Sequence, residues 1–151
     1  SNKSFQCVMI WDTLKPAHCF NDPVTYIYTK NFLNTNEYDT LYENQNNLKH
    51  KTWQDFDSKY RIGFEFKDDY SNIDLSREVI CLWFFRERAD DTRSYIHLNG
   101  KKKLNYLANT LLITKSKDID LIQKKKKYIR HPLVQLDMIN SQWETLLAKY
   151  R

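Results

Sequence analysis

The chain has 151 residues, with 24 Lys+Arg against 19 Asp+Glu and a formal net charge of +5, and its length predicts a single domain over residues 3–151. Only two glycines occur, Gly63 and Gly100, which excludes a Walker loop or a dinucleotide-binding fingerprint, because both need several glycines for backbone to approach phosphate. No apolar run approaches the roughly 20 residues of a membrane span, and no apolar stretch follows a basic start, so neither a membrane anchor nor a secretory leader is expected.

In chain order, Phe5–Trp11 reads as a strand, and Asn21-Asp22-Pro23 as a turn or strand entry. Pro23–Thr29 is rich in β-branched and aromatic residues at period two, the mark of a strand. From Lys30 to Ser58 the sequence is polar and Asn-rich, which predicts a long loop or insertion with one helical turn near Tyr38–Tyr42. Tyr60–Phe66 reads as a strand, Lys67–Ser76 as a polar turn and Arg77–Arg86 as a second strand. Within that strand Val79, Cys81, Trp83 and Phe85 alternate with Ile80, Leu82 and Phe84. Both faces are therefore apolar, which makes the strand central or turns one face into a wall for a ligand.

Glu87–Arg93 is charged and expected to be exposed. Leu104–Thr114 is a further apolar segment, and Ile119 and Leu121 alternate with Asp118 and Asp120 as in a half-buried strand. Leu133–Ile139 fits a strand or a short helix. Ser141–Tyr150 predicts a C-terminal helix, with Ser141 and Glu144 as a capping box and Trp143, Leu146, Leu147 and Tyr150 on one face. The sum is a mainly β fold with short helices and a C-terminal helix at 141–150.

Three segments carry a family resemblance. The run Trp83-Phe84-Phe85-Arg86 followed by Asp90-Asp91, the upstream Tyr60-Arg61-Ile62-Gly63 strand, and Ala108-Asn109-Thr110-Leu111 before Asp118-Ile119-Asp120 stand in the order seen in the bromo-adjacent homology (BAH) domain. The chain resembles that family over about half its length. Glu87 stands where the family has proline and Thr110 where it has glutamate. The resemblance implies a twisted, partly barrel-like antiparallel sheet. It further implies a non-catalytic, nuclear chromatin module, without cofactor, that binds a histone tail, a nucleosome or another chromatin protein, as in gene silencing.

It also implies a methyl-lysine cage built from Tyr60, Trp83 and Phe85, with Glu65, Asp68 or Asp90 as the carboxylate that favours lower methylation. Independently of the family, alternation places Trp83 and Phe85 on one strand face, and a quaternary ammonium over such rings gains about 0.5–2 kcal/mol per good contact. An aromatic pair on one strand face is nonetheless more often core than cage.

The positive charge concentrates in Lys101-Lys102-Lys103 and in Lys124-Lys125-Lys126-Lys127 leading to Arg130. Each cluster is a candidate contact for DNA phosphate or a solvated turn. Three widely spaced cysteines (Cys7, Cys19, Cys81) favour reduced thiols in an intracellular compartment over a disulfide framework. Cys7, His18 and Cys19 lack a Cys-x-x-Cys pair and a fourth partner, so no metal site is expected. Asp68-Asp69 and Asp90-Asp91 are adjacent pairs whose side chains diverge on a strand, and no paired acid–base site is expected from them.

Overall fold

A computed structural model describes residues 10–43, 62–85, 94–105, 107–123 and 132–150. Nine strands and two helices occur among them: β1 (Cys19–Phe20), β2 (Tyr26–Thr29), α1 (Thr35–Glu43), β3 (Phe64–Lys67), β4 (Val79–Phe84), β5 (Ser94–Leu98), β6 (Lys102–Asn105), β7 (Thr110–Lys115), β8 (Ile119–Gln123), β9 (Leu133–Leu136) and α2 (Asn140–Tyr150). The fold is mainly β, as expected. The strands form two antiparallel sheets, one of six in the order β1-β2-β7-β4-β9-β3 and one of three in the order β6-β5-β8.

β4 lies inside the large sheet, paired with β7 from Val79 to Phe84 and with β9 from Cys81 to Trp83. All six of its residues are buried. Its odd-numbered side chains Val79, Cys81 and Trp83 join Phe85, Ile27, Leu111, Ile113, Val134 and Phe64 on one face. That face is covered by Trp11, Leu14 and Leu41 and by Trp143, Leu146 and Leu147 of α2. The even-numbered Ile80, Leu82 and Phe84 share the other face with Leu112 and Leu133, under Ile96, Leu98, Leu104 and Ile119 of the small sheet. A strand buried on both sides has no polar face to show, which is why the sequence of β4 is apolar without a break.

Several elements depart from expectation. Trp11 is not the end of a strand: it sits in a 3-10 turn (Ile10–Thr13) that closes with the Leu14 amide donating to the Trp11 carbonyl at 3.1 Å, and residues 5–9 lie outside the described residues. The strand expected over Pro23–Thr29 is limited to its last four residues, since Pro23 has no N–H for a ladder. The polar region 30–58 holds a nine-residue helix, and residues 44–58 lie outside the described residues. Asn34 starts that helix, its side-chain Oδ1 accepting the Glu37 amide at 2.9 Å.

Of the strand expected over Tyr60–Phe66, Tyr60 and Arg61 lie outside the described residues and β3 covers Phe64–Lys67; the segment Leu104–Thr114 is split between β6 and β7. Leu133–Leu136 is a strand. Residues 86–93 lie outside the described residues.

The C-terminal helix begins at Asn140, one residue before the expected cap at Ser141. Gln142 Oε1 accepts the Ile139 amide at 3.0 Å, doing there what Glu144 was expected to do for Ser141. The large sheet is not closed into a barrel, since its outer strands β1 and β3 are not paired with each other. Among the described residues no helix is long and apolar enough to cross a membrane.

Candidate functional site

The residues expected to form a cage divide sharply. Trp83 and Phe85 share a face and stack, with ring centroids 5.5 Å apart at 29°, as strand alternation requires. But they are 0% and 1% exposed. Phe66 packs on Phe85 with centroids 6.0 Å apart, and Tyr38 of α1 meets Trp83 edge-on, also at 6.0 Å. The Tyr38 hydroxyl donates to the Phe85 carbonyl. The rings therefore serve the core, and neither offers a face to a ligand. The physical reason is that α1 and α2 cover this side of the sheet, so the apolar wall that β4 presents is already occupied.

The polar end of Trp83 is committed as well. Its indole N–H donates to Asn109 Oδ1 at 3.1 Å, and the same oxygen accepts the Leu33 amide at 3.0 Å. The Asn109 side-chain N–H donates to the Leu33 carbonyl at 2.7 Å, and its own carbonyl accepts the Phe32 amide at 2.9 Å. Asn109 holds φ 57°, a left-handed conformation that asparagine tolerates better than most residues. This one side chain ties the chain before α1 to the start of β7. The sequence signal for such a turn is the asparagine itself, placed immediately before the apolar run of β7.

Of the expected carboxylates that are described, Glu65 points away from these rings. Glu65 is on the face of β3 opposite Phe64 and Phe66, because neighbouring strand residues point to opposite sides. Its carboxylate meets Lys67 Nζ at 2.9 Å and Arg77 Nη2 at 3.0 Å. The Lys67 hydrogen bond and charge, with help from Arg77, hold it below the ordinary glutamate pKa despite slight burial. Arg77 also meets Asp137 at 2.5 Å and Asp74 at 3.5 Å. Gly63 leaves room for this cluster: a Cβ there would stand 2.1 Å from Asp137 Oδ2. Asp68 is exposed. Tyr60 and Asp90 lie outside the described residues.

The lysine-rich tip of the small sheet is different in kind. β5 and β6 pair from Tyr95↔Asn105 to Leu98↔Lys102. Between them Asn99 and Gly100 hold φ 51° and 66°, and the Lys101 amide donates to the Leu98 carbonyl at 3.0 Å. Positive φ at both central positions is what an Asn-Gly hairpin turn supplies, and the Asn-Gly pair is the sequence signal for this hairpin. The Asn99 amide donates to the Asp118 carbonyl at 2.8 Å, which fastens the turn to the 3-10 helix Ser116–Asp118. Lys101, Lys102, Lys103 and Lys117 are all exposed. Lys124–Lys127 and Arg130 lie outside the described residues.

His18 and Cys19 do not assemble a metal centre with other ligands. Among the described residues no group of three His, Cys, Asp or Glu side chains is placed to hold a metal ion, and Cys7 lies outside them. Cys81 is fully buried in β4, where burial pushes its thiol well above the ordinary value and leaves it unreactive. Comparison with protein-family models, with curated proteins and with solved structures found no match for this chain.

Proposed function

We propose that the chain is a non-catalytic nuclear module that holds chromatin through a basic surface, its lysine hairpin contacting the phosphate backbone of nucleosomal DNA. The observation that carries this reading is the contrast between Lys101–Lys103, exposed on a hairpin of fixed turn geometry, and Trp83 and Phe85, buried in the core. The chromatin setting comes from the BAH resemblance; the phosphate contact comes from charge. A hairpin tip is a suitable carrier, because lysines on a rigid turn lose less freedom on binding than lysines on a floppy tail. Lys124–Lys127 supply further charge in the sequence immediately after β8.

The test is a salt titration of binding to nucleosomes and to free duplex DNA, with the K101E/K102E double variant beside the parent. Each phosphate that the protein ceases to neutralise should reduce the slope of log K against log salt by about 0.9, so the pair should remove roughly 2. Absence of nucleosome and DNA binding at low salt would sink the reading and leave a protein-docking scaffold in its place. Binding to a histone peptide that depends on lysine methylation would restore the cage.

A further inference from the structure

A cleft of about 450 Å³ with mixed polar and apolar walls opens between the segment before β1 and the stretch from the end of β2 into α1. Lys15, His18 and Thr13 line it from the first segment, Lys30 and Asn31 from the second, and Glu37 from the first turn of α1. Its volume falls within the range of small-molecule sites, roughly 300–1,000 Å³. It belongs to neither the aromatic cluster nor the lysine hairpin.

Both walls are held in place. On one side the His18 amide donates to the Lys15 carbonyl at 2.9 Å, and the Lys15 amide donates to His18 Nδ1 at 3.1 Å. This closed pair of bonds fixes the turn that carries Lys15. On the other side Asn31, at φ 54°, redirects the chain after β2, and Asn109 anchors Phe32 and Leu33 from within the core. Lys30 thus stands on a backbone fixed at its far end by three hydrogen bonds to Asn109.

The lining combines two ammonium groups, one carboxylate, and hydroxyl and amide groups. Burial, then the nearby Lys15 charge, holds His18 below the ordinary histidine value, so its ring is neutral at pH 7. Nδ1 is occupied as an acceptor, which leaves Nε2 as the N–H donor. Two ammoniums match the double negative charge of a phosphate monoester. Glu37 would repel a bare anion but accepts a hydroxyl proton from the body that carries it.

We propose that this cleft binds a phosphate monoester on a hydroxylated body, a sugar phosphate or a nucleoside monophosphate, with Lys15 and Lys30 on the phosphate and Glu37 on a hydroxyl. The test is titration of the isotope-labelled full chain with a hexose 6-phosphate, with adenosine 5′-monophosphate, with inorganic phosphate and with the unphosphorylated hexose, followed by NMR. Saturable amide shifts confined to residues 13–18 and 29–37 are expected for either ester, and which ester binds more tightly identifies its source. K15E and K30E should each weaken binding by about tenfold or more. K101E/K102E should leave it unchanged, which separates this site from the hairpin.

Both lysines are exposed, so these variants keep the fold, and unchanged thermal denaturation verifies it; K15Q and K30Q provide the milder pair. Glu37→Gln should weaken the esters relative to inorganic phosphate, whose binding it should leave equal or tighter because the repelling charge is gone. The proposal is overturned if neither ester saturates by about 10 mM, if the unphosphorylated hexose gives the same shifts, or if the hairpin variant abolishes binding.

Discussion

The aromatic strand β4 and the lysine hairpin β5–β6, the two regions whose sequences suggest binding, have opposite surroundings. β4 is inside the large sheet and covered on both faces, whereas the hairpin tip stands in solvent on a tight turn. An aromatic run makes a strong binding surface only if nothing else covers it, and here α1, α2 and the small sheet do. A lysine run has no competing use in a core, because burying an unpaired ammonium is far too costly. Charge is therefore the more dependable guide to what faces the outside.

That comparison can be broken most forcefully at Trp83. If the ring serves the core, Trp83→Ala should destabilise the fold by about 3–5 kcal/mol, read as a lower denaturant midpoint, whereas a ring lining an open cage would cost far less. Asn109→Ala comes next. It removes the side-chain bonds to Trp83 and Leu33 and places a Cβ-bearing residue without polar compensation at positive φ. A loss of about 3 kcal/mol is expected in the same unfolding experiment. Asn109→Gly should recover about 1 kcal/mol of it by relieving the backbone.

Gly63→Ala tests the opposite edge of the sheet, where the new Cβ must displace the Asp137 carboxylate from Arg77. The carboxylate end is flexible and the ion pair exposed, so about 1 kcal/mol is expected, and the penalty should shrink in an Asp137→Ala background. The smallest effect is in pH. Glu65 is held below its ordinary value by Lys67 and then Arg77, and Asp74 by hydrogen bonds from Ser76 and then Arg77. Depressed carboxyl values mean stability that is full above the unfolded-state values and lost as pH falls through the lower folded ones. A shallow decline confined to pH below about 4.5 is expected, and Glu65→Gln should flatten it.

Much of this fold is legible in the sequence because its elements obey simple periods. The unbroken apolar alternation of 79–84 announces a strand buried on both sides, and Trp143, Leu146 and Leu147 mark the buried face of α2. The small sheet is legible only in part: Ile119 is buried and Asp120 exposed, as alternation requires, but the Asn99-Gly100 turn lies between segments too short to show a period. α1 is longer than the single turn expected: its polar sequence buries little beyond Leu41 and part of Tyr38, so no apolar period marks it. Its start is set by one side chain, Asn34, and periodicity does not register a single cap. The site is less legible still. Alternation correctly puts Trp83 and Phe85 together, but which elements cover them depends on contacts from residues 11–41 and 143–147, far away in sequence. The cleft at Lys15 and Lys30 likewise joins two segments that carry no shared motif.

Gln135 shows what such a distant contact does to the motions of a loop. Buried within β9, it accepts the Asp74 amide on Oε1 at 2.8 Å and donates from Nε2 to the Asp74 carbonyl at 3.0 Å. A side-chain amide here does the work of a neighbouring strand's peptide group, for a residue in no strand at all. Release of that N–H to solvent requires a two-point contact with β9, the strand next to the edge of the large sheet, to break. In hydrogen–deuterium exchange, the Asp74 amide should therefore exchange with the slow amides of β9 and not with the fast ones of the surrounding turn, so the cooperative unit of the fold reaches past the edge of its regular secondary structure.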